Sequence, residues 1–140
     1  MAATSALIFI PFFFFGFRFG GEIEVKRVRI AVPTKANLGL EDVVSEVFGK
    51  ARTFTIVDVE DDQIKGIQVI DNPGASYDYG SGPIAVKTLA DLKVNIVLAY
   101  EIGLGASHLL ERQGIKRISV KPGIKVEDAI KAAMESSSAE

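Results

Sequence analysis

One stretch constrains the fold of this chain more than any other. Residues 80–107, GSGPIAVKTLADLKVNIVLAYEIGLGAS, read as a glycine-rich turn, a helix, a buried strand and a second glycine-rich turn opening another helix. Pro83 suits the first helical position, where a missing N–H costs nothing. Ile84, Ala85, Thr88, Leu89 and Leu92 recur at helical spacing and predict one apolar face. Residues 95–100 (NIVLAY) form a short apolar run without alternation, the signature of a strand covered on both faces. Gly103 and Gly105 follow at once, ahead of a helix over 106–113. A helix–strand–helix unit of this kind predicts a layered α/β domain with parallel strand pairs and right-handed crossovers.

The flanking segments complete the sheet. Residues 28–32 (VRIAV) predict a first strand ended by Pro33, and Asp42 is placed to cap a short helix over 43–48, stopped by Gly49. Residues 53–59 (TFTIVDV) and 64–70 are strand-like and separated by a polar turn, so they predict an antiparallel hairpin. After the central unit, Gly114 stops a helix, 116–120 is a short strand, and 126–134 is a terminal helix with Val126, Ile130, Ala133 and Met134 inward. The expected architecture is a three-layer α/β/α sandwich around a mixed five-stranded sheet with one antiparallel strand. The expected core is Ile30, Val32, Phe54, Ile56, Ile67, Val69, Leu89, Ile96, Val97, Leu98, Leu109 and Ile130.

Composition narrows the function. At 140 residues, 48% hydrophobic and 24% charged, the chain is long enough for one folded domain. A formal net charge of −2 argues against binding nucleic acid through bulk electrostatics. Cysteine is absent and His108 is the single histidine, so disulfides, thiolate-held metal sites and multi-histidine centres cannot be built within one subunit. Residues 1–24 depart from the domain pattern: 6–17 (ALIFIPFFFFGF) is apolar and short of the roughly 20 residues of a spanning helix. They read as a membrane anchor, a degenerate export signal, or an upstream frame translated from an early start with Val25 as the natural first residue. The expectation is that residues 1–24 pack no part of the core and are absent or disordered in the functional protein, that 25–135 form the domain, and that 136–140 are a flexible tail. A cytoplasmic protein follows, touching a membrane only if residues 1–24 are present.

The candidate binding residues are Tyr77, Gly80, Ser81, Gly82, Gly103 and Gly105. Both glycine loops lead into helix N-termini, whose unpaired N–H groups and partial positive charge favour anions. The second directly follows a buried strand, at the carboxyl edge where open α/β sheets bind ligands. The loops over 77–83 and 101–107 are therefore expected to meet. A bulky residue at Gly82 or Gly105 is expected to weaken binding while leaving the fold largely intact. Each loop also reads simply as a tight turn or a helix packing closely on the sheet, and the tyrosines as rings packed on the domain. His108 reads as a surface histidine, and Asp58, Glu60, Asp61 and Asp62 as a solvated turn more readily than a hard-cation site. A two-metal nuclease would need carboxylates beginning on the first strand; VRIAV has none. No P-loop, nucleophile elbow or HExxH appears, so no catalytic residue is assigned.

Taken together, VRIAVPT (28–34), GLEDVVSEVFGKARTFTIVDVE (39–60), GSGPIAVKTLADLKVNIVLAYEIG (80–103) and the A-x-x-L-L-x-x-x-GIK run (106–116) resemble the dinitrogenase iron–molybdenum cofactor biosynthesis family. The resemblance implies a ribonuclease-H-like sandwich and a non-enzymatic carrier or scaffold that holds an iron–sulfur or iron–molybdenum cluster in transit and passes it to a protein partner. The family often carries His-Phe-Gly where this chain has Val47-Phe48-Gly49, and valine cannot ligate metal. The alternative is a small-ligand or protein-binding regulatory module that keeps the fold without a cluster.

Overall fold

The computed structural model describes residues 17–19 and 23–138, with side chains over 26–135. Among the described residues seven strands form, β1 (Phe17–Phe19), β2 (Ile23–Val25), β3 (Arg27–Thr34), β4 (Thr53–Glu60), β5 (Gln63–Asp71), β6 (Ile96–Ala99) and β7 (Lys116–Ser119). The helices are α1 (Ser81–Asp91), α2 (Leu104–Arg112) and α3 (Val126–Ser138). Strands β1 and β2 make a separate antiparallel hairpin; the other residues of the 1–24 segment lie outside the described residues. The terminal helix continues to Ser138, past the expected start of the tail, and 139–140 lie outside the described residues.

The main sheet has the order β5-β4-β3-β6-β7. Strand β4 is antiparallel to both neighbours, while β3, β6 and β7 pair in parallel, so one strand of five runs against the rest, as expected. Alternation along the strands divides the core. Ala31, Phe54, Ile56, Val97 and Ala99 meet Ala85, Val86 and Leu89 of α1 and Ala106 and Leu110 of α2. Ile30, Val32, Val57, Val59 and Leu98 meet Val126, Ala129 and Ile130 of α3. Two helices therefore cover one face and a single helix the other.

This asymmetry accounts for the core residues that differ from expectation. Ile67 is 46% exposed and Val69 half-buried, because β5 is the outermost strand and a single helix cannot reach across five. Ile96 is half-buried for the same reason on the other side of α3. On α2, Leu110 is buried and Leu109 half-buried, since Ala106 and Leu110, one turn apart, define the inward stripe. The remaining expected core residues are buried.

Two local expectations are corrected. Strand β3 runs through Pro33 to Thr34, where Pro33 pairs with Phe54. Its parallel partner β6 is registered only against Ile30 and Ala31, so Pro33 stands where β3 has become an edge and its missing N–H disrupts no ladder. Residues 43–48 are not helical. Val43 and Val44 make isolated bridges to Lys125 and Thr34 instead, and the short helical turn lies upstream at Gly39–Glu41. Asp42 still caps, but it caps a loop: its buried carboxylate accepts from the N–H groups of Ala36 (2.9 Å) and Val43 (2.8 Å) and, at longer range, Lys35 and Leu38. Adjacent β-branched valines give up little helix propensity when sheet contacts are on offer.

Candidate functional site

Strands β5 and β6 both end at the carboxyl edge of β3, and both lead through a loop into a helix. Strand β5 passes through Asn72 and the turn Pro73–Ser76 to Gly80, which takes φ 78° as the residue before α1. Strand β6 passes through 100–103 into α2. Neither helix has a side-chain cap, so their first-turn N–H groups are not answered by a hydroxyl or carboxylate. The helix starts lie side by side: a Cβ built on Gly82 would stand 3.2 Å from the Ala106 Cβ. The loops over 77–83 and 101–107 do meet.

A third loop joins them. A Cβ on Gly49 would fall 2.8 Å from the Gly82 nitrogen and 3.0 Å from Ser81 Oγ. One on Gly74 would fall 2.6 Å from the Ser81 carbonyl oxygen. Glycine is required at both for close backbone approach. Asn72, buried, ties two of these segments: its Nδ2 donates to the carbonyls of Gly49 (2.9 Å) and Ala51 (2.8 Å), and its Oδ1 accepts from the Gly74 N–H (2.9 Å). Phe48 packs edge-on against Phe54 beneath, with ring centroids 5.4 Å apart.

The candidate residues separate within this arrangement. Gly80, Gly103 and Gly105 face open space, with no atom within 4 Å of a built Cβ. Gly82 instead serves close helix–helix packing, so a bulky residue there disturbs the fold, contrary to expectation. Ser81 lies against Gly49. Tyr77 exposes about half of its surface, and its carbonyl accepts from Lys50 Nζ. The rim also includes Tyr79 (91% exposed) and Val47, and two groups not singled out from sequence, Tyr100 and Leu104 (75% exposed). The signal for Leu104 was available, as a large apolar residue between two glycines; that for Asn72 was not, because its partners come from distant positions.

The side chains here offer little to a metal. Among the described residues, no group of three or more His, Asp or Glu is placed to hold a metal ion, and the chain has no Cys. His108 is exposed on the flank of α2 beside Glu111 and Arg117. The acidic residues near the β4–β5 turn lie at the opposite edge and are engaged. Asp58 Oδ1 pairs with Arg29 Nε at 2.7 Å, Glu60 pairs with Arg27, and Asp61 accepts from the Lys26 N–H. Direct coordination of a cluster by this chain alone therefore does not fit, whereas backbone N–H donors beside open glycines fit an anion that brings its own ligands. Asp78 and Glu101 stand in the same loops, so aligned N–H groups rather than net charge would do the holding.

The fold and these loops define an α/β protein with two glycine loops brought together at the carboxyl ends of its strands. The chain belongs to the dinitrogenase iron-molybdenum cofactor family, whose match spans residues 26–136. A curated relative, an uncharacterised protein of Methanocaldococcus jannaschii, is 29% identical over 93 residues, 66% of this chain and 75% of that protein. The apo orange protein of Desulfovibrio gigas superposes with a TM-score of 0.70 at 28% identity, covering 77% of this chain and 88% of that one. A NifB-like protein of Thermotoga superposes with a TM-score of 0.64 at 30% identity, with the same coverage of 77% and 88%. Family and likeness together point to an accessory, cofactor-handling role. Among the described residues, no helix is long and apolar enough to cross a membrane.

Proposed function

We propose that this chain is a non-enzymatic carrier or scaffold in metal–sulfur cofactor handling, acting in the cytoplasm and passing its cargo to a protein partner. The cargo is an anionic iron–sulfur or iron–molybdenum cluster. It rests against the open backbone of Gly80, Gly103 and Gly105, beside Tyr77 and the Ser81–Gly82 start of α1. The observation that carries this reading is the juxtaposition of two uncapped helix N-termini with open glycines at one sheet edge. Because the chain supplies no sulfur and no histidine there, the cluster's ligands come with it or from the partner. The second reading, a small-ligand or protein-binding regulatory module, is favoured by Val47 and the absence of Cys.

Anaerobic addition of ferrous iron and sulfide with a small thiol, followed by desalting and visible absorbance, separates the two. A carrier retains a stoichiometric chromophore that Gly105→Phe diminishes without unfolding the domain. A protein that stays colourless with the thiol present, or a chromophore indifferent to Gly105→Phe, sinks the carrier reading.

A further inference from the structure

We propose a second binding site, for a small amphipathic monocarboxylate, on the face of the sheet that carries α3. Because, among the described residues, α3 alone covers that face, a cleft of about 580 Å³ remains beside its C-terminal half. That volume lies within the range of small-molecule sites, which are mostly apolar with few polar groups. Its floor is Val28, Ile30, Ile96 and Ile118, with Met134 of α3 as one wall. Val28, Ile96 and Ile118 are only half-buried although they sit on strands with neighbours on both sides or directly beside the core, so apolar surface is left for an apolar tail.

The mouth of the cleft specifies the head group. Lys26, just before β3, and Lys116, the first residue of β7, both line it. Both are exposed, and neither ammonium has an ion-pair partner among the described residues. Of the neighbouring cations of β3, Arg29 is paired closely with Asp58 at 2.7 Å, whereas Arg27, which also lines the cleft, reaches Glu60 only at 3.5 Å and leaves its buried Nε without a hydrogen-bond partner. Asp62 is the single acid lining the cleft among the described residues, leaving an excess of positive charge for one carboxylate. The site lies at the amino edge of β3, β6 and β7, opposite the glycine loops, and is independent of the cargo proposed there.

Titration of the full chain with decanoate, decanol and decylamine by calorimetry at neutral pH tests the assignment. Decanoate is expected to bind at one saturable site, with decanol about tenfold weaker and decylamine silent. Lys26→Glu with Lys116→Glu, both at exposed positions, is expected to cut decanoate binding by at least about tenfold while the melting curve stays unchanged. Chromophore retention at the glycine loops is expected to be untouched by the double variant. The proposal is overturned by equal binding of decanol and decanoate, by binding that survives the double variant, or by absence of binding to the full chain. That last result, with a dimer in sedimentation that Ile118→Glu dissociates, assigns the cleft to a second copy.

Discussion

Glycine-to-alanine changes at two positions of the candidate site should move stability in opposite directions. At Gly49 an added Cβ would meet the Gly82 nitrogen at 2.8 Å and its Cα at 3.0 Å, both backbone. Ordinary contact begins near 3.4 Å, so the 47–50 loop or the start of α1 must retreat by about half an ångström. Overpacking of this kind costs about 1–3 kcal/mol, and loss of glycine's unfolded-state freedom offsets roughly 0.4–1 of it. A net loss of about 1–2 kcal/mol corresponds to a fall in Tm of roughly 3–12 °C for a domain of this size. At Gly105, in the first turn of α2, an added Cβ meets nothing within 4 Å, and alanine is the better helix former by up to about 1 kcal/mol. Thermal unfolding followed by circular dichroism on both variants checks the pair. If Gly49→Ala melts at or above the parent temperature, or Gly105→Ala melts below it, the reading of one glycine as a close-approach position and the other as open surface is wrong.

The remaining expectations concern charges and the hairpin turn. Asp58→Asn leaves Arg29 without its carboxylate partner between β3 and β4, where Arg29 also donates to the Leu92 carbonyl, and is expected to cost about 2–3 kcal/mol in urea denaturation. Asp61 and Asp62 both take positive φ (52° and 66°) in a two-residue turn, so Asp62→Gly is expected to stabilise by up to about 1 kcal/mol, read as a rise in Cm at unchanged m. Lys125 titrates above the ordinary lysine value because Glu41 accepts its hydrogen bond at 3.0 Å and attracts its charge. Its contribution is thus complete at neutral pH and lost as pH rises through the raised value; Glu41→Gln should bring the NMR titration of Lys125 back down.

The sheet was legible because its signals are local. Unbroken apolar runs mark β6, the glycines at 80 and 114 bracket helices, and the paired runs around 60–63 force a hairpin and hence the antiparallel strand. What failed was anything decided by distant partners. Val43 and Val44 look as ready for a helix turn as for a strand, and only Thr34 and Lys125 settle the matter. Ile67 has the pattern of an inward residue and does point to the α3 side, opposite Val57, but nothing in the local sequence says that one helix must serve five strands. In the candidate site the same division holds. Glycines that open a helix could be read directly, but Gly49 and Gly74 look like ordinary turn residues until Ser81 and Gly82 are seen against them.

This clamp gives Val47 its importance. Gly49 packs against the Gly82 backbone, and Asn72 Nδ2 donates to the Gly49 carbonyl, so residue 47 is carried at the rim of the glycine loops by a tied turn. Val47 is 44% exposed, and Ser45 Oγ accepts from its N–H at 3.2 Å, fixing the backbone there. An imidazole fits such a position without displacing core, so Val47→His is expected to change Tm by no more than about 0.5 kcal/mol equivalent. It adds the one strong metal ligand that the site lacks, and a neutral imidazole binds iron well. In the anaerobic iron–sulfide–thiol assay the variant is expected to hold its chromophore through more rounds of desalting than the parent, and to lose it as pH falls below about 6, where the imidazole protonates. A variant that folds as well as the parent but gains no retention would mean that residue 47 does not face the cargo, and that the rim of exposed tyrosines and Leu104 serves a protein partner instead.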